Sequence, residues 1–182
     1  MPKIFNSASG GCGGVGTISA PTATVGNETT EITLFSYAVA GCTIKANGLL
    51  RFCFTLKSRD NIGFAQTPSI KIKFGGTTII DFGVSHFGFG ASHRTTLAGE
   101  IQNLNATNAQ DAFTDFLDIA GSLANYDAGS TAGGQPVHQQ ARLATTIDTL
   151  GDQTLALTFK WPFGPGQDPS AQCIAEYVEV LD

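Results

Sequence analysis

Residues 69–82 constrain the fold more than any other stretch. They read Ser-Ile-Lys-Ile-Lys-Phe-Gly-Gly-Thr-Thr-Ile-Ile-Asp-Phe. Ile70, Ile72 and Phe74 alternate with Lys71 and Lys73, the period-two pattern of a strand with one dry and one wet face. Gly75-Gly76 accept the positive φ angles of a two-residue hairpin turn. Thr77 to Phe82 then leads away as the second strand. An isolated hairpin is marginal in water, so its apolar face requires further strands, and the rest of the chain must supply a sheet-on-sheet fold.

The rest of the chain meets that demand. Glu31–Val39 carries Ile32, Leu34, Phe35 and Tyr37. In Leu49–Lys57, Leu50, Phe52, Phe54 and Leu56 face one way and Arg51, Cys53, Thr55 and Lys57 the other. Ser92–Leu104 reads as a long strand with Leu97 and Ile101 inward. Phe113, Phe116, Leu117 and Ala120 also fit a helical face, but Asn-rich turns bracket Phe113–Ala120 and its neighbours are strands, so a strand is expected there. Tyr126–Gln140 reads as a long loop, and Ala144–Leu150 as a short strand. Thr154–Trp161 and Cys173–Leu181 complete the set, separated by the proline-rich 162–169. No segment makes a credible three-turn helix. The expectation is an all-β fold: an antiparallel jelly-roll β-sandwich of about eight strands over residues 30–182.

The hydrophobic share of 42% suffices for a core, whereas only 14% of residues are charged. The surface must therefore be covered by Thr, Ser, Asn, Gly and Gln, which suits a β protein embedded in a larger assembly. A net charge of −5 without a Lys/Arg cluster argues against nucleic-acid binding. No apolar run approaches the ~20 residues of a membrane span, and the first residues lack the apolar centre of a signal peptide. Cys12, Cys42, Cys53 and Cys173 fit no zinc spacing. Free thiols in a reducing cytoplasm are expected, with a Cys42–Cys53 bridge as the alternative.

Constellations for chemistry are weak. His86 and His93 are separated by loop glycines, and His138 stands elsewhere, so all three are expected to be surface or loop residues. Asp115 and Asp118 should point to opposite sides of a strand. Asp148 and Asp152 flank a turn, where Asp is ordinary. Gly10–Gly16 lacks the Lys-Ser/Thr of a phosphate loop. Trp161, with Phe163, Phe87 and Phe89, offers a sugar platform, although an aromatic on a strand belongs more often to the core. The expectation is therefore no catalytic residue, no metal and no cofactor.

Residues 1–29 are dense in glycine, which resists helix and strand alike. Ordering such a segment costs about 1–2 kcal/mol per residue of backbone. Ile4, Phe5, Val15, Ile18 and Val25 are spaced to dock singly into grooves, so an extended N-terminal arm that lies on another protein is expected, with an arm along its own oligomer as the alternative.

Three stretches carry a resemblance: Glu31-Ile32-Thr33-Leu34-Phe35-Ser36-Tyr37, Lys73-Phe74-Gly75-Gly76-Thr77-Thr78-Ile79 and Gly151-Asp152-Gln153-Thr154-Leu155-Ala156-Leu157-Thr158. In this order they resemble tailed-bacteriophage jelly-roll virion structural proteins, over about residues 30–181. The resemblance implies a virion component, often a homotrimer, and brings no catalytic residues. Two roles follow. One is a capsid decoration (cement) protein, made in the host cytoplasm and bound through the arm to the major capsid protein on the outer surface of the head. The other is a receptor-binding head of a tail fibre or spike, whose partner is a host surface glycan. A fibre head usually hangs from a long shaft, so the short arm favours decoration.

Overall fold

The computed structural model describes residues 29–59, 68–83, 92–120, 137–162 and 170–181. Among them are nine strands: β1 Ile32–Val39, β2 Leu49–Arg59, β3 Ser69–Phe74, β4 Thr77–Gly83, β5 Ser92–Asn103, β6 Gln110–Ala120, β7 Val137–Thr145, β8 Gln153–Lys160 and β9 Ser170–Leu181. Every pairing is antiparallel. The strands form a four-stranded sheet in the order β1-β8-β3-β4 and a five-stranded sheet in the order β7-β6-β5-β2-β9. The fold is an antiparallel β-sandwich.

The opening hairpin is β3–β4, and Gly75 (φ 54°) and Gly76 (φ 77°) take the left-handed conformations of its turn. Its dry face, Ile70, Ile72 and Phe74, is fully buried. In the other sheet Leu50, Phe52, Phe54 and Leu56 point inward together with Leu97 and Ile101. The sheets meet through aromatic rings. Phe35 of β1 lies 5.0 Å from Phe54 of β2, ring centre to ring centre, and Phe54 stacks on Phe52 at 5.5 Å. Gly99 sits opposite Phe52 in the register, and a Cβ there would come within 2.5 Å of the Phe52 ring. Only glycine leaves that ring room.

The segment 113–120 is strand, because Gln110–Ala120 pairs on both sides, with β5 and β7. The expected strand Ala144–Leu150 is corrected. The strand is Val137–Thr145, and residues 146–150 form a connection. The alternation that suggested a strand is real, since Ile147 and Thr149 are buried and Thr146, Asp148 and Leu150 exposed. What is missing is a neighbouring strand. Ile147 donates its N–H to Gln110 Oε1 at 2.7 Å and Thr149 its N–H to the Thr107 carbonyl at 2.9 Å. β7 itself borders its sheet, and in its described part Ala141 packs against the core while Arg142 and Leu143 are exposed. An edge strand needs few apolar residues, so the Gln and Arg of this segment concealed it.

One end of the sandwich is closed by a buried polar knot. Asn103, at the end of β5, donates through Nδ2 to the carbonyls of Ile44 (2.9 Å) and Lys45 (2.8 Å) and to Thr149 Oγ1 (2.9 Å). Gln110 donates through Nε2 to Asn103 Oδ1 and the Thr107 carbonyl, both at 3.0 Å. Thr149 in turn donates its hydroxyl to the Thr107 carbonyl at 2.8 Å. Three connections, β1–β2, β5–β6 and β7–β8, are tied together, and their buried carbonyls gain the partners that burial demands.

Candidate ligand-binding face

Each sheet turns its second face outward. On the four-stranded sheet this face carries Lys71 and Lys73 of β3. Glu31, just before β1, accepts hydrogen bonds from both, 2.9 Å from Lys71 Nζ. β8 lies between β1 and β3, so the ion cluster bridges over it. The Lys73 bond, with help from Lys71, pulls the Glu31 carboxyl down to about 2 against the opposing effect of burial. Asp81 on β4 accepts from Ser69 Oγ at 2.7 Å and lies 3.9 Å from Lys71 Nζ. This face is polar and cross-linked to itself.

The five-stranded sheet is different. The register sets Tyr177, Cys53, Ala98 and Asp115 side by side on β9, β2, β5 and β6. One step along lie Glu179, Arg51, Glu100, Phe113 and Arg142. Large side chains stand at the flanks and small ones at the centre, which leaves a trough of about 410 Å³ across the sheet, floored by Cys53, Ala98 and Gly99. Phe113 is 40% and Tyr177 42% exposed. These are large exposures for aromatic rings facing one depression. Strand spacing separates the two rings by about 14 Å across the sheet.

The trough's charges are held in fixed positions. Arg51 Nε donates to Glu100 Oε1 at 2.7 Å, directly across the β2–β5 pair. The Tyr177 hydroxyl donates to Glu179, which raises its pKa, with burial adding in the same direction. Burial also pushes the Cys53 thiol up, so it stays protonated at neutral pH. Beside the trough, Arg142 grips Asp111 through Nε at 2.8 and 2.9 Å and lowers the carboxyl's pKa.

The residues singled out from sequence fall elsewhere. Trp161 is core, edge-on to Phe159 at 4.9 Å, so it forms no sugar platform, and Phe87, Phe89 and Phe163 lie outside the described residues. The arm residues Ile4, Phe5, Val15, Ile18 and Val25 also lie outside them, as does His86. His93 and His138 have their backbones on β5 and β7, but their side chains are not described, and the same holds for Asp118 on β6. Asp148 and Asp152 do turn work: Asp148 Oδ1 accepts from Leu150 N–H at 3.0 Å and Asp152 Oδ1 from Gly41 N–H at 2.8 Å. Among the described residues Cys42, Cys53 and Cys173 form no disulfide, and the Cys42 thiol donates to the Leu150 carbonyl. Sequence reading missed Tyr177, Phe113 and the small floor between them. The alternation along β2 places Arg51 and Cys53 outward, but only the cross-strand register shows which residues stand beside them.

The three stretches that carry the resemblance converge. They are β1, the β3–β4 hairpin and the β7–β8 turn with β8, all in or bordering the four-stranded sheet. Glu31 of the first is ion-paired with Lys73 of the second, and Gly75 of the second donates its N–H to the Thr154 carbonyl of the third at 3.1 Å. Comparison of the chain with protein-family models, with curated proteins and with solved structures found no match.

Proposed function

We propose that this chain is a structural component of a bacteriophage virion, a decoration (cement) protein that binds the outside of the head as a homotrimer. The role is mechanical rather than catalytic. The supporting observation is the convergence just described: segments far apart in sequence make one cross-linked sheet, so the resemblance follows a unit of structure rather than scattered strand-like words. The low charge of the chain, 14% of residues, also leaves neutral surface that is inexpensive to desolvate against other virion proteins. The attachment element in this reading is the Gly-rich segment with Ile4, Phe5, Val15, Ile18 and Val25. The test is to locate the protein on intact particles, with full-length chain and with residues 1–24 deleted. Full-length protein should coat the head and the truncated protein should fold but leave the head bare. Label found only at the tail would overturn the decoration reading, and full occupancy by the truncated chain would remove the arm as its anchor.

A second reading, the receptor-binding head of a tail fibre or spike, is favoured by one observation, the trough with two half-exposed aromatic rings on the five-stranded sheet.

A further inference from the structure

We infer that the trough on the outer face of the five-stranded sheet is a binding site for a neutral oligosaccharide, with Tyr177 and Phe113 as stacking platforms and Arg51, Glu100 and Asp115 as hydroxyl partners. The inference gives the receptor reading a site and a ligand class, and it holds for the isolated domain wherever on a particle the domain sits.

Shape comes first. A cavity of about 410 Å³ is in the size range of small-ligand sites, and this one is concave, open and lined mostly by apolar surface with a few polar groups. Its two rings are separated by about 14 Å across three strand spacings. That span suits a short chain of sugar rings rather than a single small molecule. The floor is kept low by Cys53 and Ala98, where larger side chains would fill the space.

Charge then selects the ligand. Among the described residues the lining offers one cation, Arg51, already hydrogen-bonded to Glu100, with Asp115 as a second carboxylate. Carboxylates outnumber cations, so phosphates, sulfates and sialic acids are disfavoured. A purely apolar ligand would strip water from these charges without replacing its hydrogen bonds. A sugar does replace them. Its hydroxyls donate to carboxylate lone pairs and accept from the guanidinium, while its C–H faces lie flat against aromatic rings. Because Arg51–Glu100 and Tyr177–Glu179 are already paired, little side-chain freedom is lost on binding. A second copy of the chain is a poorer occupant. Two concave faces would meet rim to rim, and around a two-fold axis the acidic residues would oppose their own images.

The test uses full-length protein against immobilised neutral tri- and tetrasaccharides of gluco, manno and galacto configuration, with sialylated glycans beside them. At least one neutral glycan should bind. Tyr177→Ala and Phe113→Ala should each weaken it about tenfold, the loss of one stacking contact. Tyr177→Phe should bind nearly as wild type, and Ala98→Leu should abolish binding by filling the floor. Circular dichroism checks that each variant is folded. Saturating sugar should also slow alkylation of Cys53, a readout that lies in the trough itself. The inference is overturned if no neutral glycan binds, if only sialylated ones do, if the alanine variants bind unchanged, or if those variants alter the oligomeric mass, which would make the trough an interface between copies. None of these outcomes bears on where the protein sits in a particle, which has its own experiment.

Discussion

The two outer faces of the sandwich handle the same problem in opposite ways. On the four-stranded sheet, lysines that could have faced water singly are joined through Glu31, with Asp81 close to Lys71, and no large hydrophobic side chain among the described residues of that face is exposed. The five-stranded sheet pairs its charges too, Arg51 with Glu100 and Arg142 with Asp111, yet leaves two aromatic rings half exposed around a depression. Folding accounts for the charge cluster of the first face, since Lys71, Lys73, Glu31 and Asp81 satisfy one another. It does not explain the second. An exposed ring contributes less to the core than a buried one, and a hollow between two rings forfeits contact. The difference separates a surface that stabilises the fold from one that is available for contact.

The largest effect should come from beneath both faces. Phe54 touches Phe52 in its own sheet and Phe35 in the other. Phe54→Ala should cost about 3–5 kcal/mol, the loss of a large ring plus the cavity it leaves. Denaturant unfolding measures it. Fluorescence of the single tryptophan, Trp161 beside Phe159 of β8, reports on the four-stranded side, while far-ultraviolet circular dichroism reports on all strands. The two curves should coincide in wild type and variant alike. Separate transitions would mean that the sheets are not one cooperative unit, and the comparison of their faces would then concern two folding units.

Much of this architecture is legible in the sequence, for a definite reason. Where a strand is buried on one face and wet on the other, as in Leu49–Lys57 or Ser69–Phe74, alternation reads out both strand and orientation. Where burial is achieved without a strand, at Ile147 and Thr149, the same alternation misleads, because side chains rather than a neighbouring ladder take the backbone donors. Where an edge strand needs little burial, as in Val137–Thr145, there is nothing to read. Asn103 and Gln110 look like ordinary turn markers, yet they are buried at 1% exposure each, because the Asn103 amide donates to the distant Ile44 and Lys45 carbonyls and Gln110 Oε1 accepts the distant Ile147 N–H. The trough was illegible for a related reason. Tyr177, Cys53, Ala98 and Phe113 are separated by long stretches of chain, and only strand order and register bring them together.

A smaller effect should single out the four-stranded face. The Glu31 carboxyl falls from its ordinary 4.5 to about 2 in the folded protein, so folding favours its charged form. The stabilisation is complete above pH 4.5 and is lost as the pH falls from there toward 2. For a partly exposed carboxylate shared by two lysines, Glu31→Gln should cost about 1 kcal/mol at pH 7. Wild type and variant should converge in stability by pH 2, where the wild-type carboxyl gains its proton. Equal stability at pH 7 would show the cluster to be ornamental, and the contrast between the faces would lose one of its sides.

The smallest effect tests the other side. Phe113 and Tyr177 keep 40% and 42% of their surface in water, and their neighbours across the strands are polar or small: Glu100 and Arg142 for Phe113, Cys53 for Tyr177. Truncating either ring opens no closed cavity, because the space beside it is already solvent. Phe113→Ala and Tyr177→Ala should therefore each change unfolding free energy by about 0.5 kcal/mol, near the limit for surface substitutions. Chemical denaturation in the absence of any sugar is the measurement. A loss of core size would mean that the rings hold the sheet together and that folding alone accounts for them. A change near zero, measured on the same variants that lose the glycan, would leave contact with a ligand as the reason two such rings face one hollow.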